Sequence, residues 1–291
     1  MNILVTGSNG QLGTEMRVQS VMHPQHTYFF TDVAELDITH REAVAAFVRE
    51  HGIDLIVNCA AYTNVDKAEQ DEATARLINA QAVENLAVAG TKIIHISTDY
   101  VFSGEGWIPC KEDDPVASRT AYGRTKWEGE ELLRAANPEA IIIRTAWLYS
   151  AYGNNFVKTM LRLGQERDSL GVVLDQVGTP TYAADLATAI FVAIEAPEWH
   201  AGTYHFTNEG VCSWYDFTHE ILERAESLLP KEAADKVKAC KLRPILSSEY
   251  QYQTPRPHYS VLDKSKIKQT FGIEIPYWTD GLQRCLQLLL K

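Results

Sequence analysis

Met1-Asn2-Ile3-Leu4-Val5-Thr6-Gly7-Ser8-Asn9-Gly10-Gln11-Leu12-Gly13-Thr14-Glu15-Met16 opens the chain. An apolar, β-favouring run passes straight into Gly7, Gly10 and Gly13, and a helical pattern follows. The spacing is G-x-x-G-x-x-G rather than the commoner G-x-G-x-x-G. A strand, a glycine turn and a helix start in that order bring backbone N–H groups and the positive end of a helix dipole to one point, where a pyrophosphate can be bound. At the first strand–helix junction the turn reads as a dinucleotide site, with Gly7, Gly10, Gln11, Leu12 and Gly13 as its contacts.

Outward from this turn, residues 2–6, 27–32, 55–58, 92–97 and 140–145 are apolar nearly throughout, as strands buried on both faces are. Helical stretches at 39–51, 65–89 and 122–136 separate them, the first opening with a capping box of Thr39 and Glu42 and the last ended by Asn137-Pro138. This alternation predicts an α/β fold, a Rossmann-type doubly wound parallel sheet. Asp32 closes the second strand, where an acidic side chain binds adenosine ribose hydroxyls. Its charge would repel a 2′-phosphate and no arginine follows until Arg41, so of NADH and NADPH the former is preferred. Asp37, Ile38, Ala60, Ala61 and Tyr62 follow the second and third strands, in loops that can flank the adenine and the nicotinamide ribose.

Beyond residue 149 the regular alternation stops. An amphipathic helix over 156–165 and a polar, Pro-rich stretch over 242–258 mark a smaller C-terminal substrate-binding region. Residues 183–195 and 203–207 read as a helix and a strand that return to the main sheet. The expected division is a cofactor-binding part over 1–149, with returning segments near 178–208, and a mainly substrate-binding part over 150–291.

The 291 residues are 45% hydrophobic and 22% charged, an ordinary globular composition. No apolar run approaches the roughly 20 residues that span a bilayer, and no signal-peptide pattern opens the chain, so the expected setting is cytoplasmic without membrane contact. The net charge of −11 disfavours nucleic acid as a partner. Five scattered cysteines form no C-x-x-C pair and nine histidines show no ligand spacing, so neither disulfide nor metal is expected.

The fourth strand runs into Ser97-Thr98-Asp99-Tyr100-Val101-Phe102, and Tyr122-Gly123-Arg124-Thr125-Lys126 comes some twenty residues later. Tyr122 and Lys126 stand at i and i+4 and share a helix face. A lysine ammonium beside a phenol draws its pKa down toward the working range, as a proton donor to a carbonyl requires.

Through these motifs the chain resembles the extended short-chain dehydrogenase/reductases, and within them the dTDP-4-dehydrorhamnose reductases, over nearly its whole length. The more particular motifs are Asn58-Cys59-Ala60-Ala61-Tyr62-Thr63, Arg144-Thr145-Ala146-Trp147, Gly153-Asn154-Asn155-Phe156, Asp175-Gln176-Val177-Gly178-Thr179-Pro180-Thr181 and Arg256-Pro257-His258-Tyr259. The resemblance implies a catalytic triad of Thr98, Tyr122 and Lys126, with Tyr122 protonating the C4 oxygen of a nucleotide-linked ketosugar as hydride arrives from NADH or NADPH. It implies sugar contacts at Thr98, Asp99 and Trp147, and contacts to the nucleotide diphosphate at Asn155, Lys158 and Arg256. A sugar-nucleotide dehydratase or epimerase shares the fold and the Tyr/Lys pair. The carboxylate pair a dehydratase needs is missing, however, because Tyr100 follows Asp99. A non-catalytic subunit similar to the regulatory β subunit of methionine adenosyltransferase is the reading from another class, against which the intact Thr98, Tyr122 and Lys126 speak. Some members are described as dimerising through glutamate-bound magnesium. Glu15 fits the first such position, whereas Ala184, beside Asp185, occupies the second, which leaves monomer and homodimer both open.

Overall fold

Within β1 (Asn2–Thr6), Ile3 and Val5 feed one hydrophobic core and Leu4 another, because successive side chains of a pleated strand point to opposite faces. The computed structural model describes residues 1–251 and 254–291. In it β1 joins β2 (Thr27–Thr31), β3 (Leu55–Asn58), β4 (Lys92–Thr98), β5 (Ile141–Thr145) and the later strand Gly202–His205 in one six-stranded, wholly parallel sheet. Its order is Gly202–His205, β5, β4, β3, β1, β2. The winding reverses between β1 and β3, and such a switch point opens a crevice at the carboxyl ends of the strands.

On one face, Ile3, Val5, Val57 and Ile143 pack with Leu12 and Met16 of α1 (Gln11–Gln19) and with Leu186 and Ile190 of the Ala183–Ile194 helix. On the other, Leu4, Ile56, Ile93 and Ile142 meet Val44 and Val48 of α2 (Arg41–His51), together with Leu86 and Leu133. The segments expected to return to the sheet do so: the Ala183–Ile194 helix lies in the first core and Gly202–His205 pairs with β5.

A separate core gathers Val157 and Leu161 of the Phe156–Glu166 helix, Phe217 and Ile221 of Trp214–Glu226, and Leu282 and Leu286 of Trp278–Leu289. Leu170 and Val172 of the Ser169–Val173 strand complete it. That strand pairs in parallel with Lys241–Ile245, a strand that overlaps the start of the polar, Pro-rich stretch. Pro244 stands opposite Val172 in this two-stranded ribbon, where every strand is an edge and a missing N–H is tolerated. Residues 252 and 253 of the same stretch lie outside the described residues.

Two further expectations are corrected. The helix expected over 65–89 is broken into Val65–Gln70, Glu72–Arg76, a π-turn over Leu77–Gln81 and Ala82–Ala87. Asp71, at φ −140°, ends the first piece and caps the next by accepting from the Thr74 N–H. The capping box at Thr39 is absent. Its hydroxyl donates instead to Asp37 Oδ1 at 2.7 Å, and α2 starts at Arg41 after an uncapped His40. Among the described residues no helix is long and apolar enough to cross a membrane.

Candidate active site

The carboxyl ends of β1, β3, β4 and β5 open into a cleft of about 890 Å³. Gly7 has φ +63°, and a Cβ there would stand 2.7 Å from the Ala60 backbone, so the first loop passes flush against the third. At Gly13 a Cβ would meet the Gly7 carbonyl oxygen at 2.4 Å, which makes this glycine a packing requirement. Gly10 is the N-cap of α1 and offers no side chain to the helix's first N–H groups. Those donors and the helix dipole are thereby left for an anion, and the long cleft beside them suits a dinucleotide. Asp32, at the end of β2, accepts from the N–H groups of Asn9 (3.1 Å) and Val33 (2.9 Å) and faces the cleft. Hydrogen bonds from the Thr39 hydroxyl and N–H hold Asp37 below the usual carboxylate range. Asp37, Ile38, Ala60 and Ala61 line the same cleft with Gly7, Gly10, Gln11 and Leu12.

The helix Ala121–Ala136 carries Tyr122 and Lys126. Thr120 caps it by accepting from the Gly123 N–H at 3.0 Å. A Cβ at Gly123 would lie 2.2 Å from the Tyr100 carbonyl oxygen, so only glycine lets the helix come this close to the loop after β4. The approach brings Tyr122 into hydrogen-bond contact with Thr98 and edge-on to Tyr100, ring centroids 5.4 Å apart. The Thr98 hydroxyl donates to Asp99 Oδ1 at 3.0 Å. Burial raises Asp99 to about 7, against the pull of that bond, and among the described residues its buried Oδ2 has no partner. Lys126 is buried, its Nζ 2.7 Å from the Ile96 carbonyl oxygen and 3.2 Å from His95 Nε2. Burial pushes this amine down to about 8.

One expectation reverses here. Lys126 was to draw the Tyr122 pKa down, but burial, with Asp99 adding to it, pushes Tyr122 up to about 12 and outweighs the lowering effect of the neighbouring Thr98 side chain. Tyr122 is therefore a phenol across the physiological range, the form a proton donor needs.

Next to the cleft lies a cavity of about 560 Å³, lined by Phe156, Met160, Trp214 and Arg256. Asp99, Tyr100 and Trp147 line both spaces and so mark their junction. Arg256 is paired with Asp66 at 2.8 Å on the wall of the second cavity. Asn155 stands apart from it, in the cleft, where its amide donates to Gln11 Oε1 (3.0 Å) and to the Ser150 carbonyl (2.7 Å). Lys158 donates to the Gly153 carbonyl at 2.8 Å and lines neither space. Tyr62 also lies off both linings, packed with Ala68, Ala75 and Ala121. Glu15 accepts from the Ser150 hydroxyl at 2.6 Å, and Asp185 from Arg284 and Asn208 at 2.7 Å.

Sequence reasoning passed over Leu36, Cys59, Leu77 and Ile78, which furnish the cleft's apolar wall. It also passed over His95, hidden in the middle of an apolar strand under Lys126. The motif Asn58-Cys59-Ala60 pointed at the first group; a buried polar residue within a strand was the available sign of the second.

A parallel sheet with a glycine turn at its switch point, and a Thr/Tyr/Lys set where a dinucleotide cleft meets a second cavity, define an NAD(P)-dependent oxidoreductase of the extended short-chain dehydrogenase/reductase class. The family model described as RmlD substrate binding domain matches residues 1–290. A dTDP-4-dehydrorhamnose reductase of Aggregatibacter actinomycetemcomitans is 40% identical, over 97% of this chain and 97% of that protein. The crystal structure of a dTDP-4-dehydrorhamnose reductase from Clostridium acetobutylicum superposes with a TM-score of 0.92 at 43% identity, covering 100% of both chains. That of a dTDP-4-dehydrorhamnose reductase from Bacillus anthracis, in complex with NADP, does so at 0.89 with 38% identity over 98% of both. The chain belongs to this RmlD family of dTDP-4-dehydrorhamnose reductases.

Proposed function

We propose that the protein reduces the C4 ketone of dTDP-4-dehydro-L-rhamnose to give dTDP-L-rhamnose, with Tyr122 as general acid. The observation that carries this reading is the position of Thr98, Asp99, Tyr122 and Trp147 around the junction of the dinucleotide cleft and the second cavity. Gly10, Gln11, Leu12 and Asp32 hold NADH or NADPH, which supplies a hydride to the carbonyl carbon when bound. Tyr122 delivers its phenolic proton to the C4 oxygen, and Thr98, already hydrogen-bonded to Tyr122, orients that oxygen. Lys126, one helical turn from Tyr122, holds the nicotinamide ribose. Trp147 offers its indole face to the sugar's C6 methyl, and Arg256 meets the diphosphate after exchanging Asp66 for it. In this reading the sheet part, residues 1–149 with 178–208, holds the cofactor and the rest of 150–291 holds the nucleotide sugar.

The test is incubation with NADH or NADPH and dTDP-4-dehydro-L-rhamnose, following loss of the reduced nicotinamide absorbance and identifying the product. Oxidation of the cofactor with dTDP-L-rhamnose appearing is expected. Tight cofactor binding without hydride transfer to this or any other nucleotide 4-ketosugar would overturn the reductase reading in favour of a regulatory subunit.

A further inference from the structure

Residues 147–156 run along both ligand spaces in one continuous stretch. Its middle, with Leu148, Gly153, Asn154 and Asn155, lines the dinucleotide cleft; its ends, Trp147 and Phe156, line the second cavity, Trp147 facing the cleft as well. Both ends pack against the Trp214 ring, the Phe156 centroid standing 4.4 Å from it. The middle meets Gln11, the first residue of α1. Gly153, at φ +63°, passes so close that a Cβ on it would stand 3.0 Å from Gln11 Cγ.

One backbone group fixes the direction of the bonds here. The Lys158 N–H can donate but not accept, and it donates to Asn155 Oδ1 (3.2 Å) at the start of the Phe156–Glu166 helix. The Asn155 NH2 is thereby turned the other way, toward Gln11 Oε1 (3.0 Å) and the carbonyls of Ser150 (2.7 Å) and Tyr152 (3.4 Å). Two hydrogens are shared among three acceptors. With Gln11 Oε1 facing Asn155, Gln11 has its Nε2 left to donate. That group stands 3.5 Å from the Leu148 carbonyl, at the far edge of hydrogen-bonding range. A phosphate oxygen accepts and does not donate. Held at the N-terminus of α1, it competes well for the Nε2 hydrogens, because a charged acceptor makes the stronger bond. An amide engaged on its nitrogen side also accepts more strongly at its oxygen.

We propose that Asn155 is a positioning residue that couples the two spaces: a dinucleotide held at Gln11 fixes Asn155 and, through it, the start of the Phe156–Glu166 helix, so that the second cavity binds its nucleotide more tightly when the cleft is filled. The proposal rests on the reading of the cleft as the cofactor's and of the cavity as the nucleotide sugar's. Phe156 and Met160 of that helix line the second cavity, and no residue of the helix lines the cleft. The dinucleotide therefore acts on it through the stretch that precedes it. Coupling of this kind is reciprocal, so the nucleotide tightens the dinucleotide by the same factor.

Two measurements on the full chain test this. The first is calorimetric titration with dTDP, without NADH and at saturating NADH. NADH should tighten dTDP by ~5-fold or more, the lower end of ordinary coupling between two sites. Asn155→Ser keeps a hydroxyl that caps the helix and removes the donor to Gln11, so this ratio should fall toward one. A ratio near one in the parent would overturn the proposal. So would a ratio kept in Asn155→Ser while both affinities weaken and the melting temperature drops, because Asn155 would then merely brace the fold. The second measurement is hydrogen exchange of the parent with NADH alone. Exchange should slow within Phe156–Glu166, and slowing confined to 147–155 would overturn the proposal whatever the enzyme's substrate. If dTDP binds neither with nor without NADH, the nucleotide-sugar reading falls and the exchange measurement alone decides the coupling.

Discussion

The indole of Trp147 lies flat on that of Trp214, ring centroids 3.5 Å apart and planes 9° from parallel. Trp147 is the one non-glycine residue among those described with positive φ, +49°. A bulky residue there stores of order 1–3 kcal/mol of strain, which the surroundings must hold. Gly178 makes this possible, since a Cβ on it would stand 2.7 Å from the Trp147 ring. The stacked pair thus fixes the wall shared by the cofactor cleft and the second cavity. Coupling between the two rings should be about 1 kcal/mol beyond their separate contributions, read from urea unfolding of Trp147→Ala, Trp214→Ala and the double variant. Trp214→Ala should raise KM for the nucleotide sugar far more than Kd for the dinucleotide. Strict additivity in the cycle would show that the stack does not hold Trp147.

Tyr122→Phe should bind NADH or NADPH as the parent does and lose at least ~100-fold in turnover, the usual scale of acid–base catalysis. The phenylalanine keeps the edge contact with Tyr100 and removes only the hydroxyl that bonds Thr98. Cofactor titration and single-turnover reduction separate the two effects, and near-normal turnover would remove Tyr122 from the mechanism.

The strands were legible because both faces of the sheet are buried: continuous runs such as Leu55–Asn58 have one reading once glycine turns and polar stretches bound them. Helix interruptions were not. Periodicity runs on from Val65 toward Ala89, yet Asn79 uses its buried amide to bond both the N–H and the carbonyl of Tyr62, and the helix widens into a π-turn around it. That contact joins residues 17 apart and leaves no local mark. The Lys241–Ile245 strand was hidden for a similar reason, since its partner, Ser169–Val173, lies some seventy residues away and Pro244 argued against a strand. At the site, the motif positions of Thr98, Tyr122 and Lys126 could be read. The burial that raises Tyr122 instead of lowering it could not, because desolvation depends on what the fold packs around the hydroxyl.

The glycines of the first turn separate into two roles. Gly13→Ala forces a Cβ against the Gly7 carbonyl and the Ser8 backbone, at 2.4 and 2.5 Å, and should lower both the melting temperature and cofactor affinity. Gly10→Ala meets only the Gly7 oxygen at 3.2 Å, so it should fold nearly normally and lose affinity for the dinucleotide. Thermal melts with and without NADH check this. Normal dinucleotide affinity in Gly10→Ala would place the pyrophosphate elsewhere.

Asp32 should decide between the two cofactors. Two backbone N–H groups hold its carboxylate at the cleft, where the ribose hydroxyls of NADH would accept its company and a 2′-phosphate would not. The parent should have the higher kcat/KM with NADH, and Asp32→Ser should shift the NADPH-to-NADH ratio upward by ~10-fold or more, about the effect of relieving one close like-charge contact. An unchanged ratio would mean that the ribose is read by other groups.

Glu130 is fully buried and meets Arg144 through two hydrogen bonds, 2.9 and 2.8 Å, while Ser97 and Arg134 bond the same carboxylate. Burial opposes its charge, but the Arg144 hydrogen bonds and charge, with those of Ser97 and Arg134, outweigh it and hold the pKa below its ordinary 4.5. A folded-state pKa below the unfolded one means that this network's stabilisation is fully present above about 4.5 and is lost as pH falls through the folded value. Glu130→Gln leaves the Arg144 guanidinium buried, between Phe102 and Trp127, without its counter-charge. The cost at neutral pH should be about 3–5 kcal/mol. Urea unfolding of both proteins across the acid range should show the difference between them shrinking below pH 4.5, where Glu130 in the parent takes up its own proton. A difference that stays constant with pH would mean that shape at position 130, and not its charge, supports the end of β4 that presents Thr98.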